Sequence, residues 1–344
     1  MGGCADAGEA GAAWLPRIAI ACQGGGSHTA FTAGVLQQLL AAAGADGRFT
    51  IAGFSGSSGG AICALLAWYG LLLGSPAEGV RLLEDFWHDN AAETLPDQLL
   101  NEFVLGSARL RDHLLLPELS PYDVPNWGQD QLRSLLEWHV EFERIPQLTG
   151  PGRPSLFVGA VDVLAGCARS FRDAEITVAT LLASTATPTL FRAVRVGAGH
   201  YWDGLFTQNP PIRELAALAP DELWVVQINP RSTPELPRTL DAIRDRHGEL
   251  AGHLALEQAL GTIELVNRLL ASGELAPGRF RPIRVHRLQL ARTLDHAAKR
   301  DRNPAFLRGL MREGRQVAAA FLEGWSGDAQ PRPAAPAGVA ESLP

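Results

Sequence analysis

The segment CQGGGSHTAFTAGVLQQLL, residues 22–40, joins a short apolar run to a predicted helix through three consecutive glycines. Glycines in series pack no side chain and lose the most backbone entropy on folding, so they indicate a loop that needs unusual φ angles or exposed amides. The preceding run RIAIAC, residues 17–22, predicts a buried strand. A strand, a glycine loop and a helix in this order favour an α/β unit.

A second strand, turn and helix follow in FTIAGFSGSSGGA, residues 49–61. Gly56, Ser58 and Gly60 form a G-x-S-x-G pattern between the strand and the helix. A nucleophile elbow requires this context, because small residues on both sides of the serine let a strained turn form without clashes. The open alternative is a Gly/Ser-rich turn in which Ser58 caps the helix.

The chain between its two ends alternates short β-type runs with helical ones, which predicts one α/β domain over residues 16–326 with a largely parallel sheet. Residues 75–150 break this alternation, and we expect an inserted helical segment or cap there. The small and polar residues 1–15 and the Pro/Ala-rich residues 327–344 predict disordered tails.

Further elements are predicted from the same patterns. They are strands at residues 155–163 and 222–229, a short helix near residues 178–183, and a long amphipathic helix after Asp241. Its core side is predicted to carry Leu256, Leu260, Ile263 and either Val266 or Leu270.

Composition restricts the function classes. The net charge of −7 argues against a nucleic-acid partner, because proteins bind the phosphate backbone through an excess of positive side chains. The four cysteines are widely spaced and the N-terminus has no secretory pattern, so we expect a cytoplasmic protein, with peripheral membrane association left open. The longest apolar run, residues 61–74, has 14 residues, fewer than the roughly 20 that span a bilayer. No H-E-x-x-H or compact group of His, Cys and acidic residues occurs, so no metal or cofactor is expected.

A serine nucleophile needs a proton acceptor. The stretch HYWDGLFTQNPPI, residues 200–212, places Asp203 and Gly204 directly after an apolar run. A carboxylate can serve as the base only when it is within hydrogen-bond reach and partly desolvated. An Asp-Gly turn without a catalytic role stays open. A Ser-Asp-His triad is a further open alternative. In the order Ser, Asp, His along the chain, its histidine could be one of four: His247, His253, His286 or His296.

The glycine loop could contribute to catalysis if the first strand lies next to the second. Gly24, Gly25 and Gly26 then lie beside Ser58, where free backbone amides could bind the oxyanion of a tetrahedral intermediate. A phosphate-binding loop does not fit, because the G-x-G-x-x-G pattern fails at Thr29 and no lysine is nearby.

Four blocks together resemble the patatin-like phospholipase family, in the family's order and at similar spacing over residues 18–228: GGGSHTAFTAGVLQQL, GSSGGA, LLASTATPTLFRAV and YWDGLFTQNPPI. The resemblance implies a three-layer α/β/α fold and a Ser-Asp dyad that hydrolyses acyl esters of lipids without a metal, cofactor or histidine. It implies that Ser58 is the nucleophile, that Asp203 is the base, and that the three glycines form the oxyanion loop.

The sequence departs from the family pattern after the glycines, where the family has Arg or Lys and then Gly. Here these positions are His28 and Thr29, and we expect His28 and Gly204 to support the site. A thioesterase or acyltransferase using the same dyad is an alternative. A non-catalytic lipid-binding protein of the same fold is another, favoured by the two departures and opposed by the intact Ser58 and Asp203. The aromatic residues of the cap are expected to line an apolar groove for acyl chains: Phe86, Trp87, Phe103, Trp127 and Trp138.

Overall fold

The computed structural model describes residues 15–327 except 46, 111–118, 189, 230–231, 233–234, 277, 279, 293 and 295. The predicted tails therefore lie outside the described residues, apart from residues 15 and 327.

The sheet contains eight strands: β1 Arg17–Cys22, β2 Thr50–Ser57, β3 Ser155–Asp162, β4 Cys167–Arg172, β5 Val194–Val196, β6 Gly199–Asp203, β7 Glu222–Gln227 and β8 Arg284–Gln289. The helices are α1 Ala30–Ala45, α2 Gly59–Leu72, α3 Pro76–Asp89, α4 Leu95–Leu110, α5 Trp127–His139, α6 Ile145–Leu148, α7 Val178–Thr185, α8 Arg213–Ala217, α9 Leu240–Ala271 and α10 Pro304–Gly324. The predicted strands and helices end within about three residues of these bounds.

The central sheet is mixed and mostly parallel, as predicted. Its order is β5-β6-β3-β2-β1-β7-β8, with β4 paired to β3 outside this path. The strands β1, β2, β3, β7 and β8 run parallel, whereas β4, β5 and β6 pair antiparallel. Parallel strands end at a common edge, so the segments after β1 and β2 meet at one side of the molecule.

Helices cover both faces of the sheet, which explains the uninterrupted apolar strands. In β1, Ile18 and Ile20 face the layer that contains α1, α2, α3 and α10, whereas Ala19 and Ala21 face α8 and α9. The helix α9 contributes its predicted core residues to the second face: Leu256, Leu260 and Ile263 are at most 7% exposed. This is the three-layer α/β/α arrangement.

Residues 75–150 are largely helical, and their aromatic residues divide into two groups. The helix α3 packs against α1 and α2, and it buries Phe86 and Trp87 in the main core. Phe103, Trp127 and Trp138 are between 72% and 80% exposed. The expected acyl groove is therefore not lined by all five, because two of them serve core packing.

No helix among the described residues is both long enough and apolar enough to cross a bilayer.

The contact between α1 and α10 depends on Gly34 of α1 and Gly314 of α10, and it generates a stability prediction. A Cβ added at Gly34 would lie 1.9 Å from the carbonyl oxygen of Met311, so the helix backbones touch there. We expect Gly34→Ala to lower the free energy of unfolding by about 2–3 kcal/mol through overpacking, measured by chemical denaturation. The control is Gly309→Ala on α10, where a Cβ meets nothing within 4 Å. It should be neutral, or stabilise by up to about 1 kcal/mol. Equal stability of the two variants would contradict the close crossing.

Candidate active site

The strand β3 brings the ends of β2 and β6 together. Over residues 157–162 one edge of β3 pairs with β4, so β2 and β6 share the other edge. Ser57, the last residue of β2, lies opposite Gly159, and Asp203, the last residue of β6, lies opposite Ala160. The residue after β2 and the last residue of β6 are therefore neighbours in space, although they are 145 positions apart in the sequence.

Ser58 forms the turn between β2 and α2 in a strained backbone conformation. Its φ of 56° and ψ of −134° lie outside the regions that non-glycine residues prefer, at a cost of roughly 1–3 kcal/mol. The surrounding structure holds this turn, because the amide of Ser58 donates to the carbonyl oxygen of Ser184 at 3.1 Å and to its Oγ at 3.0 Å. The Oγ of Ser184 in turn donates to the carbonyl oxygen of Gly159 at 2.6 Å. The strained turn is thus tied to β3.

The glycines of the elbow allow close backbone approach. A Cβ at Gly56 would lie 2.5 Å from the carbonyl oxygen of Gly60, and a Cβ at Gly60 would lie 2.3 Å from that of Cys22. A side chain at Gly56 would push the start of α2 away from β2, and a side chain at Gly60 would push it away from the end of β1. Ser58 precedes α2 directly, so its oxygen lies at the positive end of the helix dipole.

Asp203 is buried, with 1% of its surface exposed, and the Ser58 side chain lies close enough to its carboxyl to favour the ionised form. Its Oδ1 accepts the amide of Leu205 at 2.9 Å, and its Oδ2 accepts the hydroxyl of Thr187 at 3.1 Å. Burial raises the pKa of the carboxyl to about 6, and the hydrogen bonds from Leu205, Ser58 and Thr187 oppose that rise. A carboxylate with this pKa is ionised at neutral pH and is a stronger base than a solvated aspartate.

Gly204 allows this segment to lie against β3 and β2. A Cβ at Gly204 would lie 2.5 Å from the carbonyl oxygen of Gly159 and 2.8 Å from the Oγ of Ser57. Gly204 therefore packs closely beside Asp203, the predicted base.

The glycine loop lies against the elbow, as the adjacency of β1 and β2 requires. A Cβ at Gly24 would lie 2.8 Å from the Cβ of Ser58. The amide of Gly24, however, already donates to the Oδ1 of Asn209 at 2.6 Å, and the Nδ2 of Asn229 donates to the carbonyl oxygen of Gly24 at 3.1 Å. Gly24 therefore anchors the loop, and its amide is engaged within the protein.

The two following glycines have different surroundings. Within the described residues, neither the amide of Gly25 nor that of Gly26 donates to a protein acceptor. Gly26 has a φ of 58°, and a Cβ there would lie 2.3 Å from the carbonyl oxygen of Lys299. A positive φ and a close backbone neighbour together require glycine at this position. Of the three predicted oxyanion donors, the amides of Gly25 and Gly26 are thus the two that stay available.

The two departures from the family pattern fit their surroundings. Residues 26–29 form a 3-10 turn, and Thr29 lies in it without a positive φ, so its backbone does not need glycine. The Oγ1 of Thr29 donates to the carbonyl oxygen of Gly26 at 2.6 Å and so braces the loop. His28 is 3% exposed, and its ring packs edge-on against Phe306 with centroids 6.4 Å apart.

The alternative bases and metal ligands have other neighbours. His253 faces Glu257 on α9, with 4.0 Å between Nε2 and Oε1, and His286 faces Glu222 at 3.2 Å. Glu222 begins β7, at the end of the sheet opposite to Ser58. In the part of the chain that the structure describes, no group of three His, Cys, Asp or Glu residues could hold a metal ion.

Four supporting residues were not singled out from the sequence: Ser184, Thr187, Asn209 and Asn229. Ser184 and Thr187 lie in the block LLASTATPTLFRAV, and Asn209 lies in the block YWDGLFTQNPPI. Because these blocks carry the family resemblance, they are the sequence signal that places the three residues near the site. Asn229 follows β7, and only the pairing of β1 with β7 brings it to the glycine loop.

The surroundings of Asp203 generate a prediction about its titration. We expect the carboxyl to titrate near pH 6, and to titrate at higher pH in Thr187→Val, because that variant removes a hydrogen bond that favours the ionised form. Infrared or carbon-13 NMR titration of the wild type, with Asp203→Asn used to assign the signal, measures this. An unchanged midpoint in Thr187→Val would contradict the role given to the threonine.

Known families and solved structures resemble this chain to different degrees. No curated protein matches the chain. Among solved structures, VipD from Legionella pneumophila is 12% identical with a TM-score of 0.41, and the match covers 90% of this chain and 67% of that one. The ExoU-SpcU complex of the Pseudomonas aeruginosa type III secretion system is 16% identical with a TM-score of 0.35, covering 90% of this chain and 51% of the matched one. The family model for "Patatin-like phospholipase" matches residues 20–216, more than half of the 344 residues, and the chain therefore belongs to the patatin-like phospholipase family.

Proposed function

We propose that this protein is a serine acyl hydrolase that cleaves carboxylic ester bonds of lipids through Ser58 and Asp203. Membership of a family of lipid hydrolases supports the reaction class. The observation that carries the proposal is the placement of the Ser58 side chain, at a strained turn before a helix, beside the buried Asp203 carboxyl. A merely structural serine would not require this strain.

In the first step, Asp203 accepts the proton of the Ser58 hydroxyl as the Oγ attacks the ester carbonyl carbon. The C=O π electrons move onto the carbonyl oxygen and form an oxyanion. We assign the amides of Gly25 and Gly26 as its donors, with Gly24 as the anchor of their loop. Each such donor contributes roughly 2.7–4 kcal/mol to transition-state stabilisation in enzymes of this type.

The intermediate then collapses. The bond to the leaving alkoxide breaks, the proton held by Asp203 passes to that oxygen, and the acyl group stays on Ser58 as an ester. In the second half, water gives its proton to Asp203 and attacks the acyl carbon. Collapse releases the carboxylic acid and returns the proton to the Oγ of Ser58. No metal or cofactor takes part in these steps.

The raised pKa of Asp203 suits this role. The carboxylate must be ionised to accept the proton, and with a pKa of about 6 it is mostly ionised at neutral pH. Activity is therefore expected to fall as the pH drops through about 6.

The decisive experiment is reaction with a fluorophosphonate, which phosphonylates an activated serine, followed by intact mass measurement. We expect one adduct in the wild type, none in Ser58→Ala, and a labelling rate reduced roughly 10²- to 10⁴-fold in Asp203→Asn, because the general base is lost. Ser55→Ala is the matched control in the same strand, and it should keep the label. A folded wild type that takes no label would overturn the proposal in favour of lipid binding without turnover.

The anchoring of Gly24 generates a second test. Asn209→Leu removes the acceptor of the Gly24 amide, and the resulting misplacement of the loop should lower kcat on a soluble ester by roughly 10- to 100-fold with little change in KM. Asn209→Asp keeps an acceptor oxygen and should recover part of the rate. An equal kcat in the wild type and Asn209→Leu would show that other contacts hold the loop.

A further inference from the structure

Lys299 lies against the glycine loop, although it is 273 positions away from Gly26 in the sequence. A Cβ added at Gly26 would lie 2.3 Å from the carbonyl oxygen of Lys299 and 3.4 Å from its Cβ. Lys299 belongs to the 3-10 segment His296–Arg300, which follows β8 and packs against residues 26–29. It is also the only lysine of a chain whose other strongly basic residues are all arginine. The position of Gly26 therefore depends on where tertiary contacts place Lys299.

The glycine loop needs such external support, because its own residues resist deformation only weakly. Consecutive glycines have many accessible φ and ψ values, so packing determines the direction of their amides. The carbonyl oxygen of Gly26 accepts the hydroxyl of Thr29 at 2.6 Å and lies beside α2, where a Cβ at Gly59 would be 2.9 Å from it. The Cα of Gly26 faces the carbonyl oxygen of Lys299. Gly26 is thus in contact with both the start of α2 and the 3-10 segment.

The side chain of Lys299 connects the 3-10 segment to α9. Its Nζ lies 3.3 Å from the Oε1 of Glu249, and the guanidinium of Arg246 lies 3.3 Å from the Oε2 of the same carboxylate. All three side chains are only 16–17% exposed. Partly buried ion pairs are screened less than surface pairs, and the loss of one partner leaves a charge without compensation. The ammonium of Lys299 is therefore fixed to α9 while its backbone contacts Gly26.

The same turn of α9 supports the other end of the glycine loop. Gly252 lies three residues after the carboxylate partner of Lys299, so it is on the same side of the helix. A Cβ at Gly252 would lie 3.0 Å from the Nδ2 of Asn209, whose Oδ1 accepts the amide of Gly24. The helix α9 is therefore connected to Gly24 through Asn209 and to Gly26 through Lys299.

The residues directly after the 3-10 segment are attached to α4 and to the residues before it. Asn101 of α4 donates to the Oδ1 of Asp301 at 2.9 Å and accepts the amide of Arg302 at 2.9 Å. The amide of Ala92 donates to the carbonyl oxygen of Arg302 at 2.8 Å. The segment is thus held from two directions. Release of its attachment to α9 would free the part that touches Gly26.

We propose that Lys299 is a positioning residue for the glycine loop: its ion pair with Glu249 holds the 3-10 segment against Gly26 and so fixes the direction of the Gly26 amide. The inference rests on the proposed function, in which this amide donates to the oxyanion. Such a donor stabilises the transition state fully only when it is oriented in advance. Lys299 acts through the loop rather than on the ester itself.

The first test compares kcat and KM on a soluble ester. Lys299→Met removes the ammonium and should lower kcat about 10-fold with KM within about twofold, because a loop amide is misdirected while substrate contacts stay. Glu249→Gln should give a similar loss, and the double variant should lose no more than either single one, since both act through one pair. Lys299→Arg keeps the positive charge and should recover most of the rate.

The matched control is Glu257→Gln, about two turns further along α9. Glu257 also pairs with a basic residue, Arg287, and is 26% exposed, and its variant should keep the wild-type kcat. Two inhibitors separate positioning of the donor from general loosening. A trifluoromethyl ketone, which forms an oxyanion on the serine, should bind about 10-fold more weakly to Lys299→Met, whereas an ether analogue without a carbonyl should bind equally well. A merely structural role of Lys299 would weaken both.

A further measurement does not depend on turnover. Amide hydrogen exchange of residues 22–31, followed by mass spectrometry, should be about threefold faster in Lys299→Met and Glu249→Gln than in the wild type and in Glu257→Gln. Thermal midpoints verify that the variants fold.

Unchanged kcat or unchanged exchange in folded Lys299→Met would overturn the inference. So would an equal loss in Glu257→Gln, or equal weakening of the two inhibitors. Failure of the proposed function would be seen separately, as a wild type that takes no fluorophosphonate label. That result would remove the catalytic role of Lys299 even if its substitution alters the exchange of the loop.

Discussion

The shared edge of β3 is the constraint on which the candidate site depends. One half of that edge pairs with β2 and the other half with β6, so consecutive residues Gly159 and Ala160 lie opposite Ser57 and Asp203. Backbone hydrogen bonds in a sheet fix positions more closely than loop contacts do. The sheet register thus brings the Ser58 and Asp203 side chains together without a long flexible side chain.

The segment from Asp203 to Asn209 connects three parts of the site. Asp203 lies beside Ser58, the carbonyl of Gln208 accepts the hydroxyl of Ser57, and Asn209 accepts the amide of Gly24. One short stretch therefore contacts β2 and the glycine loop and also carries Asp203. Such shared anchoring makes it difficult to displace one part without the others, which is what a preorganised site requires.

The distribution of polar and apolar side chains differs between the core and the surface around the site. In α1, α2 and β1 the apolar side chains are buried on the faces that the sheet and its helices cover. In α4, Asn101 turns inward and accepts the amide of Arg302, just after the 3-10 segment His296–Arg300 beside the glycine loop, whereas Leu95, Leu99 and Phe103 are exposed.

The sequence by itself determined the fold class, the succession of strand–turn–helix units along the chain and the position of the Ser58 turn. Apolar strands covered on both faces, the G-x-S-x-G turn and the glycine loop are local patterns, each set by steric or hydrophobic requirements within about ten residues. The sequence also pointed to Asp203, but only through a motif that resembles the family's. Spacing along the chain gives no information about contacts across a sheet.

Only the tertiary structure decided how these parts are joined. The register of β3 brings Asp203 to Ser58, and burial there raises the pKa of the carboxyl to about 6. The bond from Gly24 to Asn209 removes one of three equivalent glycine amides from the available donors. Phe86 and Phe103 have the same side chain in a similar helical pattern, yet the first is core and the second is exposed. Local patterns could not separate these cases, because long-range packing determines which surface is covered and which donor is already engaged.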